Sequence, residues 1–222
     1  MDWTAFTLSL RLAAWTTLLL LPLGIVAGRT LAARRFPGKS WVEALVALPL
    51  VLPPTVLGYY LLLMLGGNAA LGGAYHALSG GSLVFSFEGL LLASLIFNLP
   101  FVVQPVQRAF EVLPPDVREA AWVSGMSRFT TFWKIELPLA WPGILTALVL
   151  TFAHTMGEFG VVLMVGGNIP GETRTIAIAI YDRVQAFDDV KAGAMSALLL
   201  LFSFTAIGLV YAVGSRFGRT HA

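Results

Sequence analysis

From Ala44 to Phe87 the chain carries no aspartate, glutamate, lysine or arginine. So long an uncharged run cannot form the surface of a water-soluble domain. It is also too long for one membrane crossing, because a bilayer's hydrocarbon core takes about 20 apolar residues as helix. Composition agrees: of 222 residues 57% are hydrophobic and 12% charged, whereas soluble domains average about 25% charged. A soluble globular domain, a disordered tail and a nucleic-acid binder are excluded. The chain has no cysteine, which removes disulfide frameworks, thiolate metal sites and cysteine nucleophiles. The length suits one domain over residues 1–222, an all-α polytopic membrane bundle.

Five segments are long and apolar enough to span, at 8–28, 44–65, 86–107, 139–165 and 192–214. The glycines Gly66, Gly67, Gly72, Gly73, Gly80 and Gly81 break the long uncharged run and predict a short loop outside the second span. The first segment lacks a basic leading region and a small-residue cleavage site, so it reads as a retained helix and not a signal peptide. Residues 173–187 have helical character, with Ile176, Ile180, Val184 and Phe187 opposite Asp182, Arg183 and Gln185. That segment is too short and polar to span, and an interfacial or re-entrant helix is expected.

Basic residues set the orientation. Of the 14 lysines and arginines, Arg29, Arg34, Arg35, Lys39, Arg108, Arg118, Arg128, Lys134, Arg216 and Arg219 fall on one side of this topology. Arg11, Arg174, Arg183 and Lys191 fall on the other. The N-terminus is expected outside and the C-terminus in the cytoplasm of a plasma membrane. Because Ala222 follows soon after the last span, no long cytoplasmic regulatory domain is expected.

Gly24 and Gly28 form a small-xxx-small pair that lets helices approach closely. Pro49, Pro53 and Pro54 interrupt the second span. Each removes a backbone donor, and the freed carbonyls need partners in protein or in a water-filled cavity. Either a kinked structural helix or one that bends around a pathway fits.

The stretch 108–138 is long, charged and expected in the cytoplasm. Pro114 and Pro115 end the preceding element. Asp116, with Glu119 three residues on, predicts a capping box, and Gly125 supplies the stop. The helix between them, with Ala120, Ala121 and Trp122, has small side chains on one face. It suits close docking into a partner's groove, with Arg118, Glu119 and Arg128 fixing the register; a helix lying on lipid headgroups is the alternative.

Glu119-Ala120-Ala121, then Gly125, then Ile135, Leu137 and Pro138 at matching spacing resembles the EAA loop of ABC importer permeases. The segments 52–59, 157–160 (Gly157, Glu158, Phe159, Gly160) and 168–175 extend the resemblance to the molybdate-type permeases of the molybdate/sulfate group. The resemblance implies the type I ABC importer permease fold, with the loop as a coupling helix seated in a cytoplasmic ATPase. It implies a homodimer, two ATPase subunits holding ATP and magnesium, and an external oxyanion-binding protein. It implies molybdate, with tungstate, sulfate or thiosulfate as alternatives, because the binding protein selects the anion.

Within the spans, His154 and Glu158 stand one turn apart and share a helix face. Intramembrane ionisable groups usually face a cavity or bundle interior, so a hydrogen-bonded gate pair or a structural link between dimer halves is expected. No third ligand suggests a metal. Pro53, Pro54, Gly157, Gly160 and Arg174 complete the pathway or gate candidates; Arg174, beside two threonines, can attract an anion, contact the binding protein or sit as a solvated charge. Gly38-Lys39-Ser40 imitates the end of a phosphate-binding loop, but Ala33 replaces the first glycine and no strand precedes it. The chain therefore offers no nucleotide site and no catalytic residues, and an enzyme is not expected. An intramembrane enzyme would need a nucleophile or metal set near His154 and Glu158. An autonomous channel or secondary transporter would need inverted repeats and charges coupled within the spans.

Overall fold

The computed structural model describes residues 1–218. Arg219, counted above among the cytoplasmic charges, lies outside the described residues, as does the side chain of Arg216. Every regular element among the described residues is helical. Four stretches have the length and apolarity of a span: Trp3–Ala33, Phe87–Glu111, Arg128–Gly157 and Asp189–Leu209. Where the second span is expected stands a broken pair, α2 (Lys39–Val51) and α3 (Pro54–Leu65), bent by 110°. Pro49 stays inside α2, whereas Pro53 and Pro54 end one helix and begin the next. Proline at a first helical turn forfeits no bond, and it disfavours helix in the residue before it.

Helix α1 (Trp3–Ala33) starts where Asp2 accepts the Ala5 N–H at 2.9 Å, which satisfies one of the free amides at a helix start. It runs parallel to α6 (Leu99–Glu111). A Cβ on Gly24 would lie 2.4 Å from Val102 Cγ2, and one on Gly28 would lie 2.8 Å from Val106 Cγ1. The small pair therefore joins two helices of the same chain. Helix α9 (Leu137–Gly157) completes this layer: Gly143 faces Ala109 and Pro105 of α6, while Thr155 meets Asn98 at the start of α6, so α9 runs antiparallel to it. Leu20, Val102, Val103, Val106, Phe110, Ile144 and Ala147 form their shared core.

A second core joins Leu8 and Leu12 of α1 to α3, α5 (Phe87–Phe97) and α10 (Gly160–Gly166). The Gly-rich segment expected as a loop contains α4 (Ala70–Ser79), whose Tyr75 packs on this core. Helix α11 (Ile176–Gln185) begins at the Thr175 cap and buries Ile176, Ile178 and Ala179. The expected stripe is thus half right, since Val184 and Phe187 face outward. Phe187 sits at φ +54° in a left-handed stop, where the Phe187 N–H donates to Val184 O and the Asp188 N–H to Arg183 O. Helix α12 (Asp189–Gly218) packs on α9 and α11.

The fourth span starts and stops earlier than expected. Ser127 accepts the Thr130 N–H at 3.1 Å and starts α8 (Arg128–Thr131). A π-helical turn, Phe132–Glu136, carries it into α9. The wide turn stands just before Pro138, which has no N–H to give. At the far end α9 stops at Gly157, Glu158 is extended (ψ 135°) and α10 begins at Gly160. Two flanking glycines weaken the helix there. Apolar residues also cover the outside: α2 buries none of its side chains, and Leu200 and Phe204 of α12 stand exposed. Such faces suit lipid or a second membrane subunit.

Candidate functional site

Helix α7 (Pro115–Val123) carries the Glu119-Ala120-Ala121 part of the sequence motif. Asp116 makes no cap hydrogen bond. Pro114 takes the cap position and Pro115 the first turn, because proline's fixed φ pre-forms a helix start. The stop falls where expected. The Gly125 N–H donates to Trp122 O and the Met126 N–H to Ala121 O, both at 3.0 Å, with Gly125 at φ +82°. This is a Schellman stop, whose left-handed residue favours glycine. A side chain at Gly125 would meet nothing within 4 Å, so the space above the stop is open.

Glu119, Ala120, Trp122 and Val123 are exposed, Val123 to 89%, while Ala121 is buried. Val112, Phe129 and Trp133 are also exposed, so an apolar surface surrounds the helix. Arg128 lies 5.6 Å over the Trp122 ring, a cation–π contact. Of the remaining motif residues, Ile135 lies in the π turn and Leu137 and Pro138 open α9.

The residue between Ile135 and Leu137 anchors this assembly. Glu136 is 3% exposed. Its Oε2 accepts from Arg29 Nε at 2.5 Å, and its Oε1 lies 3.2 Å from Arg118 Nε. Arg118 also donates to Phe110 O at 3.2 Å, and Arg29 stacks 4.7 Å over the Phe132 ring. Arg118, expected to face a partner, is thus engaged inside the chain. Sequence reasoning passed over Glu136; the signal was an acid wedged between apolar residues at the foot of a span, since buried carboxylates are almost always paired.

The two proline- and glycine-marked breaks pack together. A Cβ on Gly160 would lie 2.6 Å from Pro54 Cβ, and one on Gly58 would lie 2.7 Å from Met164 Cβ. The segments 52–59 and 157–160, far apart in sequence, form one contact. Gly157 is exposed with open space around it.

His154 and Glu158 do not form the expected pair. Glu158 Oε1 accepts the Val161 N–H at 3.0 Å and so serves the start of α10. His154 Nδ1 lies 3.2 Å from Asn98 Oδ1, and its ring stacks on Phe101 with centroids 3.9 Å apart. Asn98, fully buried at the joint of α5 and α6, donates to Ser94 O and Thr155 Oγ1, each at 2.9 Å. The end of α9 at Gly157 turns Glu158 off the helix face it was expected to share. Asn98 was also missed, although a polar amide two residues before Pro100 inside an apolar run marks a buried break.

Arg174 is likewise engaged. Its Nε donates to Asn168 Oδ1 at 2.6 Å and its Nη2 lies 3.7 Å from Asp182 Oδ2. Asn168 Nδ2 bridges both oxygens of Asp182, at 3.0 and 2.8 Å. Beside this loop, Lys191 hydrogen-bonds Asp188 and holds its carboxyl below the usual range.

Residues 21–219 match the family described as binding-protein-dependent transport system inner membrane component. The molybdenum transport system permease protein ModB of Azotobacter vinelandii is 47% identical, over 95% of this chain and 93% of that one. ModB of Escherichia coli K12 is 39% identical over 83% and 80% of the two chains. A probable sulfate transport system permease, cysT of Chlorella vulgaris, is 30% identical over 94% and 78%. Among solved structures, a bacterial ABC transporter involved in the import of alginate superposes with a TM-score of 0.72 at 16% identity, covering 99% of this chain and 79% of that one. The MetNI methionine ABC transporter in inward-facing form superposes with a TM-score of 0.70 at 16% identity, covering 97% and 94%. The multi-pass bundle with its EAA-type helix therefore belongs to the binding-protein-dependent inner membrane components, the type I permeases of ABC importers.

Proposed function

We propose that this chain is the transmembrane subunit of an ATP-driven molybdate importer. Two copies form the oxyanion pathway, and each presents α7 to a cytoplasmic ATPase that binds ATP and magnesium. An external oxyanion-binding protein delivers the anion on the opposite side, so the N-terminus lies outside. The observation that carries the coupling is α7: a short helix with an open apolar face and a tight stop, tied to the spans through buried Glu136. Similarity to molybdenum permeases at higher identity than to a sulfate permease favours molybdate over sulfate. Closure of the ATPases on ATP draws the paired α7 helices together and rocks the bundles outward; hydrolysis reverses the movement. Such coupling requires that the α7 contacts differ in free energy between the two states.

The test is reconstitution in vesicles with the partner ATPase and binding protein. Molybdate-loaded binding protein is expected to stimulate ATP hydrolysis and molybdate uptake. Gly125→Glu, which places a bulky charge in the open space at the stop, is expected to abolish co-purification of the ATPase while leaving membrane insertion intact. Full ATPase recovery with that variant overturns the docking claim, and uptake of sulfate in preference to molybdate overturns the substrate.

A further inference from the structure

Glu136 joins three elements that the chain brings together from far apart. Arg29 comes from the last turns of α1, Arg118 from α7, and Glu136 itself from the π turn that leads into α9. Both oxygens are used, one for each arginine. The carboxylate is 3% exposed, so among the described residues its charge is compensated by these two partners, and a buried charge without a partner is strongly disfavoured. Phe132, on the same π turn, lies beneath the Arg29 guanidinium and fixes its plane. Single π turns inside α-helices recur at functional sites, and here the turn aims Glu136 inward.

We infer that Glu136 is a positioning residue for coupling: through Arg118 and Arg29 it fastens α7 to α1 and α9, so that a push on α7 moves both spans as one body. This rests on the transport reading above. Without the carboxylate, α7 still presents Ala120, Trp122 and Val123 to the ATPase. It then moves relative to α1, and hydrolysis is lost to slack.

The chain has no cysteine of its own, so Ala33→Cys and Val123→Cys place two unique spin labels on exposed positions of α1 and α7. In nanodiscs, with the labelled chain diluted into unlabelled chain so that a dimer holds one labelled copy, one narrow distance distribution is expected, and adding Glu136→Gln is expected to broaden it. In vesicles with ATPase and binding protein, Glu136→Gln is expected to retain the ATPase but to raise the ATP hydrolysed per anion imported about tenfold. A merely structural role lowers yield and leaves that ratio unchanged. An unbroadened distribution or an unchanged ratio overturns the inference. Should Glu136→Gln fail to insert, Arg29→Gln, which leaves Arg118 on Glu136, must broaden the same distances, and a narrow distribution there also overturns it. If the unsubstituted complex imports no anion, the transport reading fails, while the label distances still decide whether Glu136 fastens α7.

Discussion

Pro54 Cβ lies 2.6 Å from where a side chain on Gly160 would begin, so the two interrupted helices meet at their interruptions. The neighbour is a ring carbon of a residue whose backbone is already constrained, and it cannot swing aside as a flexible side chain would. Gly160→Ala is therefore expected to force α3 and α10 apart and to destabilise the bundle by about 1–3 kcal/mol. Thermal unfolding of the purified variant in detergent measures this, and an unchanged midpoint contradicts the close packing of the two breaks.

The separation of His154 from Glu158 predicts independence. Glu158→Ala removes an acceptor at the start of α10 and is expected to cost about 0.5–2 kcal/mol. His154→Ala strips the stack on Phe101 and leaves Asn98 Oδ1 without its donor, a loss of about 1–3 kcal/mol. In a double-mutant cycle the two losses should add to within about 0.5 kcal/mol. A larger interaction term would restore the gate pair that helical spacing suggests.

Gly125 is constrained by its backbone and not by space. Asparagine tolerates the left-handed region better than alanine does, so Gly125→Asn is expected to retain more ATPase on co-purification than Gly125→Ala. The alanine variant should loosen the end of α7 by about 1 kcal/mol. Equal recovery for both would mean that the left-handed stop is dispensable for docking.

Arg174 and Asp182 share one hydrogen-bonded unit with Asn168, and both side chains are partly solvated. Arg174→Ala and Asp182→Ala are each expected to cost under about 1 kcal/mol and to be non-additive, because either removes the same link. Uptake at limiting anion separates the roles. A scaffold predicts similar uptake for the two variants, whereas a free anion attractor predicts a fall for Arg174→Ala alone.

The membrane class, four apolar helices of span length and the short helix that stops at Gly125 were legible in the sequence because each is a local property. Apolar runs of span length, the Gly125 stop and the spacing from Glu119 to Pro138 are fixed by neighbours in the chain. Even the break between α2 and α3 was marked by Pro53 and Pro54, since proline acts on its own backbone and on the residue before it. Local signals also misled. The Asp116 capping box yielded to the Pro114-Pro115 start, and the helical pairing of His154 with Glu158 dissolved because α9 ends between them.

Tertiary structure alone decided which charges are occupied. Arg118 and Arg174 read as available to partners, yet each is held by an acid or amide that no periodicity connects to it: Glu136 for one, Asn168 and Asp182 for the other. The reason is physical. A helix pattern records which face is apolar, but the partner of a buried ion is chosen by the three-dimensional meeting of segments such as α1 and the π turn, 107 residues apart at Arg29 and Glu136.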